Sequence, residues 1–82
     1  MNKVLFVLDE NLDVLERVCE LETVPRAGDT IYIADGTFCD VDAVFLHIDT
    51  SPPEWHVHLK LGSHVDIRII DELRRLGWKE NE

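Results

Sequence analysis

The stretch 23–60 constrains the fold most, because it carries a corner and two hairpin signatures in succession. Residues 25–29 read Pro-Arg-Ala-Gly-Asp and predict the corner, since proline presets φ and glycine tolerates positive φ. A tight turn at Asp35-Gly36 and a second turn centred on Ser51-Pro52 each separate two runs of alternating apolar residues. This succession predicts antiparallel strands joined by hairpins.

Apolar periodicity predicts five strands. The continuous apolar run at 4–8 indicates a buried strand. The segment 14–21 fits either a strand or a short helix, and we favour a strand that forms a hairpin with the first. The predicted strands lie near residues 3–9, 14–22, 29–34, 37–48 and 55–61.

The C-terminal part predicts a helix near residues 64–77. Apolar residues recur there at helical spacing, and Ser63 followed by Asp66 resembles a capping box. Gly77 suits the position just after a helix. The alternative is a strand over 65–69 with the helix starting later, and we favour the helix from the start.

The first turn can be closed in two ways, which differ in what they bury. A two-residue loop would pair Ile31 with Asp40 and place a carboxylate among core residues. A three-residue loop that includes the preceding alanine pairs Ile31 with Cys39, and Ile33 with Thr37. We favour the three-residue loop, because it places Cys39 rather than Asp40 in the core. The choice matters, since a register slip of one residue sends every side chain to the wrong face.

The apolar alternation slips by one residue after Val41, which predicts a β-bulge near Asp42-Ala43. Beyond the bulge, the second turn predicts a strand pairing with apolar residues on one face and histidines on the other. The predicted inner pairs are Ile48–Trp55, Leu46–Val57 and Val44–Leu59, and the predicted outer pairs are His47–His56, Phe45–His58 and Ala43–Lys60.

Three histidines share the outer face on this register. His47, His56 and His58 lie on two adjacent strands, and opposed Cβ atoms are about 5 Å apart. Neutral imidazoles at that spacing suit zinc, copper or nickel, so one hypothesis is a metal site. The alternative is a set of half-exposed histidines with no ligand.

An aromatic set lies on the same predicted face, with Tyr32 opposite Phe38 and with Phe45 on that side too. Exposed apolar patches of this kind usually mark a partner-binding surface. The simpler expectation is cover from within the chain, because the apolar stripe of the predicted helix needs a place to dock.

The formal net charge is −9, from 17 acidic and 8 basic residues. Residues 1–54 carry the whole excess, since 12 acids and 3 bases lie there. Nucleic-acid binders neutralise phosphates with Lys and Arg, so this charge argues against direct nucleic-acid binding. It is compatible with solubility alone or with a basic protein partner.

Sequence motifs for catalysis or membrane insertion are missing. There is no P-loop, dinucleotide-binding glycine motif or nucleophile elbow, and no apolar run long enough to cross a bilayer. Cys19 and Cys39 form no CxxC or zinc-knuckle arrangement, and their strand-like surroundings predict buried thiols in a reducing cytoplasm. We therefore expect neither an enzyme nor a membrane protein.

The corner and the first hairpin together resemble a known pattern. The residues that carry it are Val24-Pro-Arg-Ala-Gly-Asp-Thr-Ile-Tyr-Ile33, Gly36, Cys39-Asp-Val41 and Val44. This segment resembles small SH3-like β-barrel proteins of short, mostly uncharacterised bacterial and phage families. The aromatic residue often found near the position of Cys39 stands at Phe38 here. The resemblance covers about twenty residues and implies a barrel, but it transfers no functional residues.

The sequence therefore predicts a single mainly β (α+β) domain over residues 1–82. A small, bent, antiparallel five-stranded barrel or roll of SH3-like type spans 1–61, and the helix and tail span 62–82. The leading functional hypothesis is a protein–protein interaction or assembly module, whose partner is another protein or a second copy of the chain. The alternatives are a metal or small-ligand binding protein, with zinc as the candidate cofactor, and an acidic inhibitor of a basic nucleic-acid-binding partner.

Overall fold

A computed structural model describes residues 1–10, 13–62 and 68–80. Its elements are β1 (Asn2–Glu10), β2 (Asp13–Leu21), β3 (Thr30–Ala34), β4 (Thr37–His47), β5 (Glu54–Leu61), α1 (Ile69–Arg75) and β6 (Lys79–Glu80). All six strands belong to one sheet in the order β3-β4-β5-β1-β2-β6, curled into a half-barrel. The prediction of a mainly β chain with one C-terminal helix is confirmed.

The topology differs from the predicted antiparallel five-stranded barrel or roll in two ways. β1 and β5 pair in parallel, while the other neighbours are antiparallel. A sixth strand, β6, adds two residues to the edge of β2. Neither feature has a local sequence signal, because a parallel pair joins distant segments and two exposed charged residues show no periodicity.

In the first hairpin, the strand pairs away from the turn have the predicted register, but the turn itself differs. Ile31 pairs with Cys39 and Tyr32 with Phe38, as predicted. The predicted pairing of Ile33 with Thr37 is wrong, because Ala34 takes that partner across a two-residue turn and the register shifts between Tyr32 and Ala34. This irregularity keeps the isoleucine side chains on the core face without the longer loop.

The β4–β5 hairpin contains the predicted bulge, with a register shift between Val41 and Ala43. The predicted cross-strand pairs beyond it are wrong by two residues, since Leu46 pairs with Trp55 rather than with Val57. The loop between the strands is longer than the predicted turn and occupies residues 48–53. A shift of two residues preserves the face of every side chain, so the predicted inner and outer sets survive.

The core lies between the inner face of the sheet and the C-terminal segment. Buried side chains of α1 (Ile69, Ile70 and Leu73) and Trp78 pack with the inner residues of the central strands. Those strand residues are Val4, Phe6, Leu8, Leu15, Ile33, Cys39, Val41, Val57 and Leu59. Cys19 is half-buried and Cys39 is buried, and both are thiols.

Helix α1 is shorter than predicted. It begins at Ile69 and ends at Arg75, and its last turn carries Arg74 and Arg75 as the helix dipole favours. The predicted capping box and the competing strand over 65–69 fall mostly at 63–67, outside the described residues. Arg74 also forms an ion pair with Glu80, which connects the helix to β6. Among the described helical residues, no segment is long and apolar enough to span a membrane.

Candidate protein-binding surface

The sheet face opposite α1, called here the outer face, is largely exposed over the described residues, although Val7 within it is buried at 8% exposed. Leu76, at the end of α1, lines a pocket together with Leu5 and Val18. Strand alternation sets this face, and Lys3, Leu5 and Val7 define it on β1. The expectation that the helix would cover the aromatic residues of the outer face is wrong. The helix packs with Phe6 and Leu8 on the inner side instead.

Two of the predicted metal ligands form a ring pair on the outer face. The imidazoles of His47 and His56 have centroids 3.9 Å apart and are tilted by 35°. Each ring also faces a carboxylate, with His47 Nδ1 3.4 Å from Asp49 and His56 Nε2 3.5 Å from Glu54. The rings contact each other diagonally, because His47 pairs directly with Glu54 along the strands.

The third predicted ligand packs elsewhere. His58 lies edge-on against Phe45, with ring centroids 5.2 Å apart at 81°. The trio is therefore divided between two ring pairs. Within residues 1–10, 13–62 and 68–80, no group of three or more His, Cys, Asp or Glu side chains is arranged to hold a metal ion. Zinc binding by His47, His56 and His58 stays a prediction.

Glu54 connects the histidine pair to the first strand. Its carboxylate accepts a hydrogen bond from Lys3 Nζ at 3.0 Å. This hydrogen bond, followed by the one with His56, lowers the pKa of Glu54 below that of an ordinary glutamate. The carboxylate therefore stays charged at neutral pH between an ammonium group and an imidazole.

The predicted aromatic set is divided into two clusters. Tyr32 and Phe38 form an edge-on pair with centroids 5.8 Å apart, and Tyr32 is 73% exposed. Phe45, at 50% exposed, lies seven residues beyond Phe38 along the same strand. At a rise of about 3.3 Å per residue, the two clusters are roughly 20 Å apart.

A continuous row of side chains crosses four strands through Phe45. Phe45 pairs with His56, His56 with Leu5, and Leu5 with Val18 on β2. With about 4.8 Å between neighbouring strands, this Phe45 row extends about 14 Å. Sequence reasoning missed Leu5 and Val18, because only the parallel pairing of β1 with β5 places them beside the histidines.

Acidic residues surround the Phe45 row. Five outer-face positions are acidic, namely Asp9, Glu16, Glu20, Asp40 and Glu54, while the lysines of this face are Lys3, Lys60 and Lys79, the partner of Glu16. The Lys3 ammonium is already engaged by Glu54. A partner on this face therefore meets an apolar centre within a negative rim.

Comparisons of the chain with family models, curated proteins and solved structures found no match. The resemblance to SH3-like barrels stays a prediction.

Proposed function

We propose that this protein is a protein-interaction module that docks its partner on the Phe45 row. The observation that carries the proposal is the exposure of both ends of the row, since Phe45 is 50% and Val18 is 54% exposed. Contiguous apolar surface on a soluble domain usually marks a docking site. Histidine and phenylalanine rings also suit an interface, because they bury a large flat surface with few rotatable bonds.

The rim charge favours a basic partner. Carboxylates outnumber lysines on the outer face, and opposite charge around an apolar centre steers a partner into the correct orientation. This observation also supports the second candidate function, an inhibitor that occupies the basic site of a nucleic-acid-binding protein. Direct nucleic-acid binding is disfavoured, because phosphates carry the same sign as the rim.

We also propose an SH3-like class and a cytoplasmic location. An SH3-like class is supported by the hairpin with its bulge after Val41, which bends the long strand β4 as a barrel corner does. A cytoplasmic location is supported by the two thiols, Cys19 and Cys39, since disulfides are typical of oxidising compartments.

The experiment compares variants at both ends of the row with a matched control. Phe45→Ser and Val18→Ser remove apolar surface from the row, whereas Ile48→Ser removes a more exposed apolar side chain beyond the end of β4. Sedimentation velocity measures self-association, and capture from a cell lysate on immobilised protein measures other partners. We expect both row variants to lose their complexes and the control to keep them.

Retention in salt distinguishes the two candidate functions. A basic partner is released as ionic strength rises, because exposed charges are screened beyond about 8 Å at physiological salt. Thermal melts confirm that each variant is folded. The proposal is wrong if folded Phe45→Ser and Val18→Ser proteins match the wild type in both self-association and capture.

A further inference from the structure

Strand β3 ends the sheet and leaves one side without a strand neighbour among the described residues. Its other side pairs with β4. Thr30 and Tyr32 are exposed at this edge. An open edge exposes backbone N–H and C=O groups that can pair with a further strand.

The alternation of bonded and non-bonded pairs between β3 and β4 shows which backbone groups of β3 face outward. The carbonyl of Asp29 accepts from the Val41 N–H at 2.8 Å, and the Val41 carbonyl accepts from the Gly28 N–H at 2.9 Å. Gly28 and Asp29 therefore form a bulge that occupies the bonded position opposite Val41. Bonded and non-bonded pairs alternate in an antiparallel ladder, so Ile31 bonds to β4 and its neighbours do not. The N–H and C=O groups of Thr30 and Tyr32 therefore point away from β4, toward the open edge.

The side chains along the edge favour an apolar strand. Residues Thr30–Ala34 carry no charge, although natural edge strands often carry lysine or proline against unwanted pairing. The Tyr32 ring is held edge-on by Phe38 at 5.8 Å and presents its remaining surface to solvent. An added strand would place an alternate side chain beside this ring.

Acidic residues at both ends of β3 decide which strand fits. Asp29 and Asp35 are exposed and flank the uncharged segment. In a symmetric antiparallel pair of two copies centred on Tyr32, Asp29 of one copy would face Asp35 of the other. Like charges directly opposite each other destabilise strand pairs, so a second copy is disfavoured.

We infer that the β3 edge binds an extended peptide strand with an uncharged β-branched centre and a Lys or Arg at each end. The two basic residues stand six positions apart in the peptide, about 20 Å in an extended strand, so that they reach Asp29 and Asp35 just beyond the two ends of β3. The inference goes beyond the proposed function, because the peptide site is separate from the Phe45 row. Backbone pairing supplies the binding, and the terminal charges select the peptide.

The test uses fluorescein-labelled peptides and the complete chain. The probe is Lys-Thr-Val-Thr-Val-Thr-Lys, and its control has Glu at both ends. Fluorescence anisotropy at low salt should show tighter binding of the Lys-ended peptide by about tenfold, since two exposed charge pairs change sign. The preference should shrink as salt is added.

Two changes test the backbone pairing. Thr30→Pro removes an outward-pointing N–H that β4 does not use, a position where edge strands tolerate proline, and Thr30→Ala keeps that N–H. We expect the proline variant to lose binding and the alanine variant to keep it. Independently of any folding defect, methylation of one alternate set of peptide amides should abolish binding to the wild type, and methylation of the other set should not.

The outcomes separate this inference from the proposed function. Phe45→Ser should bind the peptide as the wild type does, whatever its effect on other complexes. The inference is overturned if the Glu-ended peptide binds equally well, if neither methylated peptide loses binding, or if Phe45→Ser abolishes binding.

Discussion

Glu54 shows how one side chain can organise the contacts around the Phe45 row. It receives the Lys3 hydrogen bond from β1 and faces the His56 ring, which in turn stacks on His47. Because His56 is a member of the row, the carboxylate orients an imidazole at the centre of the proposed interface. The pKa of Glu54 reports on this arrangement.

Replacing Lys3 with methionine should raise the pKa of Glu54 toward the ordinary value of about 4.3. The reason is that the Lys3 hydrogen bond is the largest cause of the lowered pKa. Carbon-detected NMR titration of the Glu54 carboxyl group measures the change. Lys60→Met is the matched control, since Lys60 pairs with Asp40 on a different part of the face.

The sign of the accompanying stability change follows from linkage. A carboxyl group whose pKa is lower in the folded protein than in the unfolded chain stabilises the fold at pH values above the unfolded-state pKa. This contribution is lost as the pH falls through the folded-state pKa. Acid melts of Lys3→Met should therefore show a smaller loss of stability than wild type below about pH 4.3. An unchanged Glu54 titration in Lys3→Met would contradict the assigned cause.

The sequence could predict part of this surface and not the rest. The outward placement of His47, His56 and Phe45 follows from alternation along the strands. The predicted register was wrong by two residues, but a shift of two leaves every side chain on the same face, so this placement was still correct. Leu5 and Val18 depend on which distant strands become neighbours. No local pattern encodes that choice.

At the level of secondary structure elements, the C-terminus of α1 is closed by two hydrogen bonds. The Gly77 N–H donates to the Arg74 carbonyl at 3.3 Å, and the Trp78 N–H donates to the Leu73 carbonyl at 3.0 Å. This is a Schellman motif, and Gly77 has the positive φ of 103° that it requires. Leu73 and Trp78 are both buried, so the motif also places the apolar contact that seals the core.

Substitution of Gly77 by alanine should lower the free energy of unfolding by about 1–2 kcal/mol, because an L-residue pays a steric cost at positive φ. A Cβ at this position would meet no atom within 4 Å, so the loss reflects backbone conformation alone. Gly77→Asn should lose less, since asparagine visits this region more readily. Thermal melts would show a decrease of roughly 4–8 °C per kcal/mol for a domain of this size.

Equal stability of the alanine and glycine proteins would show that the turn does not need positive φ.

The end of the helix was predictable from the sequence to within two residues. Gly77 marks the helix end in the sequence, and the observed helix ends two residues earlier, at Arg75. Strand limits were similarly predictable from local alternation, whereas the two-residue strand β6 became recognisable only from its pairing with β2.

At the scale of the whole molecule, the helix covers one face of the sheet and leaves the other face largely exposed. The inner residues of the central strands are buried by α1 and Trp78. The β4–β5 hairpin extends beyond this cover, since Leu46 is 47% and Ile48 is 78% exposed although both belong to the apolar set predicted for the inner face. Exposed surface for the two proposed docking sites is therefore left on the outer face and at the edge of β3.

The net charge of −9 is the remaining property of the whole molecule, and it predicts how stability depends on salt. Like charges repel one another in the folded chain, and added NaCl screens this repulsion. Surface ion pairs such as Lys3–Glu54 also weaken in salt, but exposed pairs contribute only about 0–1 kcal/mol each. The melting temperature should therefore rise between about 10 and 300 mM NaCl. This range includes 0.1 M, where the screening length is about 10 Å.

The form of the curve separates screening from a general salt effect. Screening saturates once its length falls below the spacing of the surface charges, whereas exclusion of salt from the surface continues to stabilise as concentration grows. A variant with Glu20→Gln and Asp40→Asn removes two outer-face charges and should gain less from the same salt. A melting temperature that falls with NaCl would show that attractive ion pairs outweigh the repulsion. The contribution of the acidic rim to stability would then come from local ion pairs rather than from net charge.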